Sequence, residues 1–521
     1  MAAVASSSSD SPGGWRPAHN PWLIAVAVMI GTFMEVLDTS IANVALPHIA
    51  GSLSSTPEEA TWAVTSYLVA NAIVLPLTAW LGGRFGRKRF LIVCTVLFTL
   101  ASVLSGAAMS LNQLILARIL QGLGGGALQP TAQAVLLESF PPRQRGQAMA
   151  FYGMGIVVAP IMGPILGGYI TDNYDWRWTF YINLPVGILA VILAYLFIED
   201  PPFLKSDKTS RVDYLGFLSL ALWVGALQVM LDKGQQEDWF ESELIIALAV
   251  VFVVSLMFFL NWESTTEEPV IDLSILANRN FAVAAFLITV VGAVLYGSVA
   301  VLPLFLQSLL GYPAFDSGLA VAPRGVGALA SMIMIGPLLA RFDGRFFVGL
   351  GLFTLGSSNL WLSHINTQIA ITNITLPNIL QGISLGLIFV PLTTLANATM
   401  PVEKFGKASG IYNLMRNLGG GIGIALCTTF VARGSQIYQN TLVGNVDPYN
   451  SIYLQFSRIL GGALPTPQAL GITYGVVREQ AAMLAYINIY ILMAWACYAC
   501  IPLVFLLKKA PLDAASPGMA H

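Results

Sequence analysis

Apolar residues gather along this chain in runs much longer than a soluble core requires. Such runs fall at about 22–47, 60–82, 90–109, 111–137, 147–171, 178–198, 213–231, 243–262, 281–307, 314–340, 346–364, 373–399, 408–432 and 482–507. Each is near the ~20 residues that cross the ~30 Å hydrocarbon core of a bilayer at ~1.5 Å rise per residue. Each is also about twice the ~9–11 residues of a barrel strand, and none alternates apolar with polar positions, so the pattern predicts helices. The expected fold is an all-α polytopic membrane protein with fourteen transmembrane helices.

The polar positions between the runs orient them. Alternate loops carry Arg84, Arg87, Lys88 and Arg89; Arg143 and Arg145; Lys205, Lys208 and Arg211; Arg279; Arg341 and Arg345; Lys404 and Lys407; and Lys508 and Lys509 follow the last run. The opposite loops hold only Arg177, Lys233, Arg433, Arg458 and Arg478. The positive-inside rule then places both termini in the cytoplasm.

The runs repeat. Gln121, Gly122, Pro141, Gly146, Ala148 and Gly163 recur as Gln381, Gly382, Pro401, Gly406, Ala408 and Gly423, at a constant offset of 260 residues. The basic loop Arg84 to Arg89 recurs at Arg341 to Arg345 with an offset of 257. Spans 1–6 and 9–14 therefore read as two pseudo-symmetric six-helix bundles in the same orientation, with spans 7 and 8 inserted between them. Parallel repeats of this kind characterise two-bundle secondary transporters, whose sites lie between the halves near the midplane. The domain reading is a disordered cytoplasmic tail at 1–21 and an N-terminal bundle at 22–198. Cytoplasmic linkers and inserted helices 7–8 follow at 199–280, then a C-terminal bundle at 281–507 that includes a periplasmic loop at 433–480. A cytoplasmic tail at 508–521 ends the chain.

Composition narrows the chemistry. Only 10% of the 521 residues are charged, against about 25% in soluble proteins, and mean hydropathy is +0.72. A net charge of −2 argues against a nucleic-acid partner. Cys94, Cys427, Cys497 and Cys500 all lie inside apolar runs and read as buried thiols. An intramembrane enzyme would need a nucleophile and base, or metal ligands, at membrane depth. The histidines, His19, His48, His364 and His521, sit only at span ends or tails. The glycine string Gly122 to Gly126 follows no strand, and Gly-x-x-x-x-Gly-Lys-Ser/Thr is absent, so ATP drive is unsupported. An ion gradient is left as the energy source, and no cofactor is expected.

Against this background the first span is exceptional, because it carries Glu35 and Asp38 near its middle. Their i,i+3 spacing sets both on one helix face, with Asn43 about 1.4 turns further on. A charge at that depth costs at least ~2.5–3.5 kcal/mol on insertion scales, which makes it a functional-site candidate. Arg118 in span 4 and Arg324 in span 10 lie at comparable depth, and Asp38–Arg118 is the expected pair. Two readings stand: a permanent ion pair that fixes helix packing, or an acid that exchanges a proton while the arginine tunes its affinity. Glu35 could equally contact a cationic substrate. The repeat offers Ser298 where Asp38 stands, so coupling is expected in the N-terminal half alone. Tyr67, Asn71, Tyr296 and Phe305 are candidate cavity residues, as are Asn43 and Arg324, because aromatic walls with few polar groups suit apolar ligands. Arg416 reads either as a gate residue or as helix-end packing. In span 5, Gly163, Pro164, Gly167 and Gly168 belong to a small-residue series that lets helices approach closely and bend.

These motifs resemble the major facilitator superfamily along nearly the whole chain. Leu37-Asp38-Thr39-Ser40-Ile41-Ala42-Asn43-Val44-Ala45-Leu46-Pro47 looks like its first-helix drug-efflux motif. The span 4 pattern around Arg118, Gln121 and Gly122 is similar to the motif whose arginine is implicated in proton transfer. The span 5 series is similar to the antiporter motif, and Trp176-Arg177-Trp178-x-Phe180-x-Ile182-Asn183 to a segment of fourteen-helix drug:proton antiporters. Within these the likeness is to EmrB-type multidrug exporters of Gram-negative bacteria. The resemblance implies proton-driven efflux of hydrophobic, often cationic or weakly acidic, toxicants across the bacterial inner membrane. It also implies a periplasmic adaptor protein and an outer-membrane channel as partners in a tripartite pump. One departure concerns the loop after span 2, where Arg84, Gly86, Arg87 and Lys88 remain but Gly83 replaces the family's acid. A transporter of one metabolite, sugar or siderophore on the same fold is the alternative, since fold does not fix substrate. The long loop 433–480 calls for function or helices of its own, and Ser451–Leu460 and Pro467–Ala481 have helix-compatible patterns. Adaptor contact and a cap over the cavity are its two readings.

Overall fold

The computed structural model describes residues 17–201, 213–266, 269, 271–339, 341–401, 404–447, 449–451, 453–455 and 467–508. Most of the expected N-terminal tail (1–16), the Lys205–Lys208–Arg211 loop, residues 456–466 and 509–521 lie outside them. All regular structure among the described residues is helical. In chain order the main helices are α1 (Pro21–Ser52), α2 (Trp62–Val74), α3 (Thr78–Phe85), α4 (Arg87–Gly106), α5 (Leu111–Gly125), α6 (Leu128–Ser139), α7 (Pro142–Asn173) and α8 (Asn183–Phe197). Then come α9 (Tyr214–Lys233), α10 (Glu243–Thr265), α11 (Arg279–Leu304), α12 (Ala314–Val321), α13 (Pro323–Leu339), α14 (Gly344–Leu362), α15 (Ile371–Asn397), α16 (Phe405–Val443) and α17 (Pro467–Val504).

Among the described residues eleven helices are long and apolar enough to cross a membrane. Three of the fourteen expected spans have no such helix of their own. The run 60–82 is split between α2 and α3 by a tight turn at Leu75–Leu77 containing Pro76, where proline removes a backbone donor. The run 111–137 is split between α5 and α6 after Gly125. The third, α14, is a 19-residue helix with Ser357, Ser358 and Asn359 in its last third.

Local chemistry sets the helix starts. The Asn20 side chain accepts the backbone N–H of Trp22 at 3.0 Å, with Pro21 at the first helical position. Ser110 and Asp343 cap α5 and α14 in the same way. Gly86 turns the chain between α3 and α4 at φ +84°, a conformation that favours glycine.

Packing places the acid-bearing helix. α1 runs along α7, and α2 and α4 run along α5. α11 pairs with α16, and α15 with both α13 and α14. Contacts between these two groups pass mainly through α7 with α13 and α6 with α16. The inserted pair α9–α10 leans on α2 and α16. A Cβ on Gly163 would overlap the Ser40 side chain, so the span 5 glycine face is where α7 closes on α1. The expected loop 433–480 is shorter than its sequence suggested, because α16 continues to Val443 and α17 already begins at Pro467.

Candidate functional site

Asp38 sits where α1, α2, α5 and α8 converge. Its Oδ2 accepts Nη1 of Arg118 at 2.6 Å, and both side chains are at most 1% exposed. Its Oδ1 accepts Nε2 of Gln121 at 2.8 Å and Nδ2 of Asn183 at 2.7 Å. Arg118 is held in turn by the Ala63 carbonyl through Nε (3.0 Å) and by Gln121 Oε1 through Nη1 (2.8 Å). Its guanidinium lies 4.3 Å from the centre of the Tyr67 ring, a cation–π position. Three donors thus converge on the two carboxylate oxygens, one of them a guanidinium whose bond is charge-assisted.

Glu35, one turn earlier, has a different environment. Oε1 accepts from Tyr67 (3.2 Å) and Asn71 (3.1 Å), and Oε2 from Gln129 Nε2 at 2.7 Å. Oε1 of the same Gln129 side chain accepts a bond from Nη2 of Arg416 on α16. Glu35 is thus bridged by a neutral amide to a cation of the other helix group, whereas Asp38 is paired within its own.

Between the two groups lies a cavity of about 180 Å³. α6 and α7 supply Gln133, Tyr152 and Pro160, while the opposite wall includes Tyr296, Arg324, Phe389, Tyr412 and Arg416. Among the described residues no carboxylate lines it. Arg324 is buried and donates through Nη2 to Ser298 (3.2 Å), Asn378 (3.4 Å) and Gln381.

Several sequence candidates sit elsewhere than expected. Tyr67 and Asn71 are buried around Glu35 and are not part of the cavity wall. Phe305 is buried against Tyr486, with ring centres 5.3 Å apart, inside the core of α11–α17. Asn43 is exposed and donates to the Thr39 carbonyl of its own helix. The cause is common to all four: on a helix apolar all round, spacing does not tell a cavity face from a core face. Arg416 lines the cavity, as Arg324 does, and lies away from either end of its helix. Gln133 and Asn413 bond across the groups at 2.9 Å.

The basic loop finds acids that its own sequence lacks. Arg87 pairs with Glu138 at 2.6 Å, Asp200 accepts the Lys88 backbone N–H at 2.9 Å, and Arg84 stacks on Trp80. Asn183, Gln129 and Glu138 were not singled out as site residues. Asn183 stood inside a quoted motif, but nothing in spacing aims its amide at Asp38. For Asn183 and Gln129 the available signal is a polar residue inside an apolar run.

A helical membrane protein with two groups of helices, a buried carboxylate in its first helix and a cavity between the groups has the form of a secondary transporter. Comparison with known proteins fixes the class: residues 28–424 match the Major Facilitator Superfamily, and the chain belongs to that family. It is 39% identical to the multidrug export protein EmrB of Haemophilus influenzae over 440 residues, covering 83% of this chain and 85% of that one. Identity to the multidrug export protein EmrB of Escherichia coli K12 is 35% over 500 residues, covering 95% and 97%. The fold is similar to that of the proton:xylose symporter XylE, with a TM-score of 0.58 at 15% identity, over 92% of this chain and 96% of that one.

Proposed function

We propose that the chain is a proton-coupled antiporter that exports hydrophobic drugs and toxicants from the cytoplasm or inner leaflet. The carrying observation is the fully buried Asp38, held by Arg118, Gln121 and Asn183 on a helix that packs along the cavity-lining α7. A carboxylate in this position is held by its donors, and a rearrangement that loosens them would leave its oxygens free to take a proton. Alternating exposure then lets a proton load from one side and leave to the other. The names of the EmrB relatives support multidrug export as the task, and family membership supports transport over catalysis.

The topology proposed is fourteen spans, counting α2–α3, α5–α6 and α14 with the eleven, in the bacterial inner membrane with both termini cytoplasmic. The helices α16 and α17, of 39 and 38 residues, exceed the ~20 needed to span. The excess favours a projection on the periplasmic side, where Gln439 and Tyr474 join the two helices at 3.3 Å and Ile437, Leu470 and Tyr474 are exposed. We read this as the contact for a periplasmic adaptor protein, which would link an outer-membrane channel. Loss of adaptor capture on deleting residues 440–475 is expected, and full retention would remove this surface from the pump.

The experiment for the coupling reading uses everted vesicles. Drug accumulation driven by a pH gradient should be lost in Asp38→Asn while drug binding persists. Undiminished gradient-driven accumulation would take Asp38 out of the mechanism.

A further inference from the structure

The two halves carry corresponding polar clusters that differ in two respects. At the 260-residue offset, Asp38, Arg118 and Gln121 correspond to Ser298, Asn378 and Gln381. At the 257-residue offset, Ser102 and Tyr67 correspond to Asn359 and Arg324. The packing agrees with the alignment, since Gly122 abuts the Tyr67 backbone carbonyl and Gly382 abuts that of Arg324. In the first half a guanidinium from α5 meets Asp38, Gln121 and the Tyr67 ring. In the second a guanidinium from α13 meets Ser298, Asn378 and Gln381. The cation has moved to a neighbouring helix, and the carboxylate has become a hydroxyl.

Arg324 is therefore a buried cation whose counter-charge is missing. It is 5% exposed, and Nε and Nη1 have no hydrogen-bond partner. No ion pair among the described residues includes it. A guanidinium cannot shed its proton to relieve the burial, and an uncompensated buried charge is strongly unfavourable. Arg416, the other cavity cation, is joined through Gln129 to Glu35. Arg324 lines the cavity in the company of Tyr296, Val299, Leu385 and Phe389.

We propose that Arg324 is the anion-recognition group of the cavity, and that a substrate's carboxylate or phenolate completes there the ion pair that Asp38 completes in the other half. The ligand class is an apolar body bearing one compact negative charge. This rests on the exporter reading only in taking the cavity as the substrate site. Guanidinium suits the task because its planar donors match a carboxylate and are weakly hydrated.

The test is equilibrium binding of decanoate and of uncharged decanamide to the full chain in nanodiscs at pH 8, with empty discs as the control and no gradient imposed. At that pH a carboxylic acid is ionised. Arg324→Gln should weaken decanoate roughly tenfold or more, since hydrogen bonds to charged groups are each worth about a decade or more, and should shift decanamide less than about twofold. Arg324→Lys keeps the charge and should recover part of the decanoate preference. Ser298→Asp supplies the missing acid internally and should abolish that preference, read as the ratio of the two affinities. An unchanged ratio in Arg324→Gln or in Ser298→Asp overturns the proposal, as does equal loss of both ligands in Arg324→Gln. Because no proton gradient is involved, failure of proton coupling at Asp38 leaves this result standing, and the reverse also holds.

Discussion

Arg118 Nη1 and Asp38 Oδ2 are 2.6 Å apart with both side chains closed to solvent. A buried pair with this geometry constrains what each half of it can do alone. Removing one member leaves an uncompensated charge, at about 3–5 kcal/mol, whereas removing both is much milder. Asp38→Asn should therefore lower the midpoint of thermal unfolding in detergent, and Asp38→Asn with Arg118→Gln should recover part of it. If the pair only fixes packing, the double variant should also recover gradient-driven transport. If Asp38 carries the proton, transport stays lost, and the vesicle assay separates the two outcomes.

Gln129 links Glu35 to Arg416 across the two helix groups. Gln129→Leu removes both bonds and leaves Arg416 with Nη2 and Nε unpartnered. A buried unsatisfied group costs about 1–3 kcal/mol, more when charged. The unfolding midpoint should fall, and transport should fall with it because the bridge spans the interface that must open. Transport equal to wild type at equal expression would show that the bridge is dispensable.

The contact of α1 with α7 depends on Gly163 having no side chain. Gly163→Ala should force the two helices apart and destabilise by about 1–3 kcal/mol, as overpacking does. Gly168, on the same helix, has nothing within 4 Å of an added Cβ, so Gly168→Ala is the matched control. Comparable unfolding midpoints for both variants would contradict the packing described.

At the start of α1, the Ala18 backbone N–H donates to Glu199 at 3.1 Å, and His19 Nδ1 lies 2.6 Å from the same carboxylate. The Ala18 bond, followed by the His19 contact, lowers the Glu199 pKa from its ordinary value. For a depressed carboxyl pKa the stabilisation is fully present above the unfolded value of about 4.3 and is lost as pH falls through the folded one. Amide exchange at Ala18 should be protected at pH 7, and Glu199→Gln should reduce that protection. Unaltered exchange in the variant would show that the tether contributes nothing, and its partial exposure keeps the expected effect small.

The apolar runs by themselves determined that this is a helical membrane protein, because no other arrangement buries so much hydrocarbon with so few charges. The offset repeat determined two related halves, and the cost of Glu35 and Asp38 at depth marked the first helix as special. The order of residues also brought Asp38 and Arg118 together as an expected pair, since a buried charge needs an opposite one. Tertiary structure decided what periodicity has no means to encode on helices apolar on every face. It set Tyr67, Asn71 and Phe305 in the interior, Arg416 in the cavity wall, and the Asn183 amide on Asp38. It also decided how Glu35 differs from its neighbour one turn away. A one-turn step on α1 adds to partners within the bundle a bridge to the opposite one, and the packing of α6 against α16 supplies that bridge.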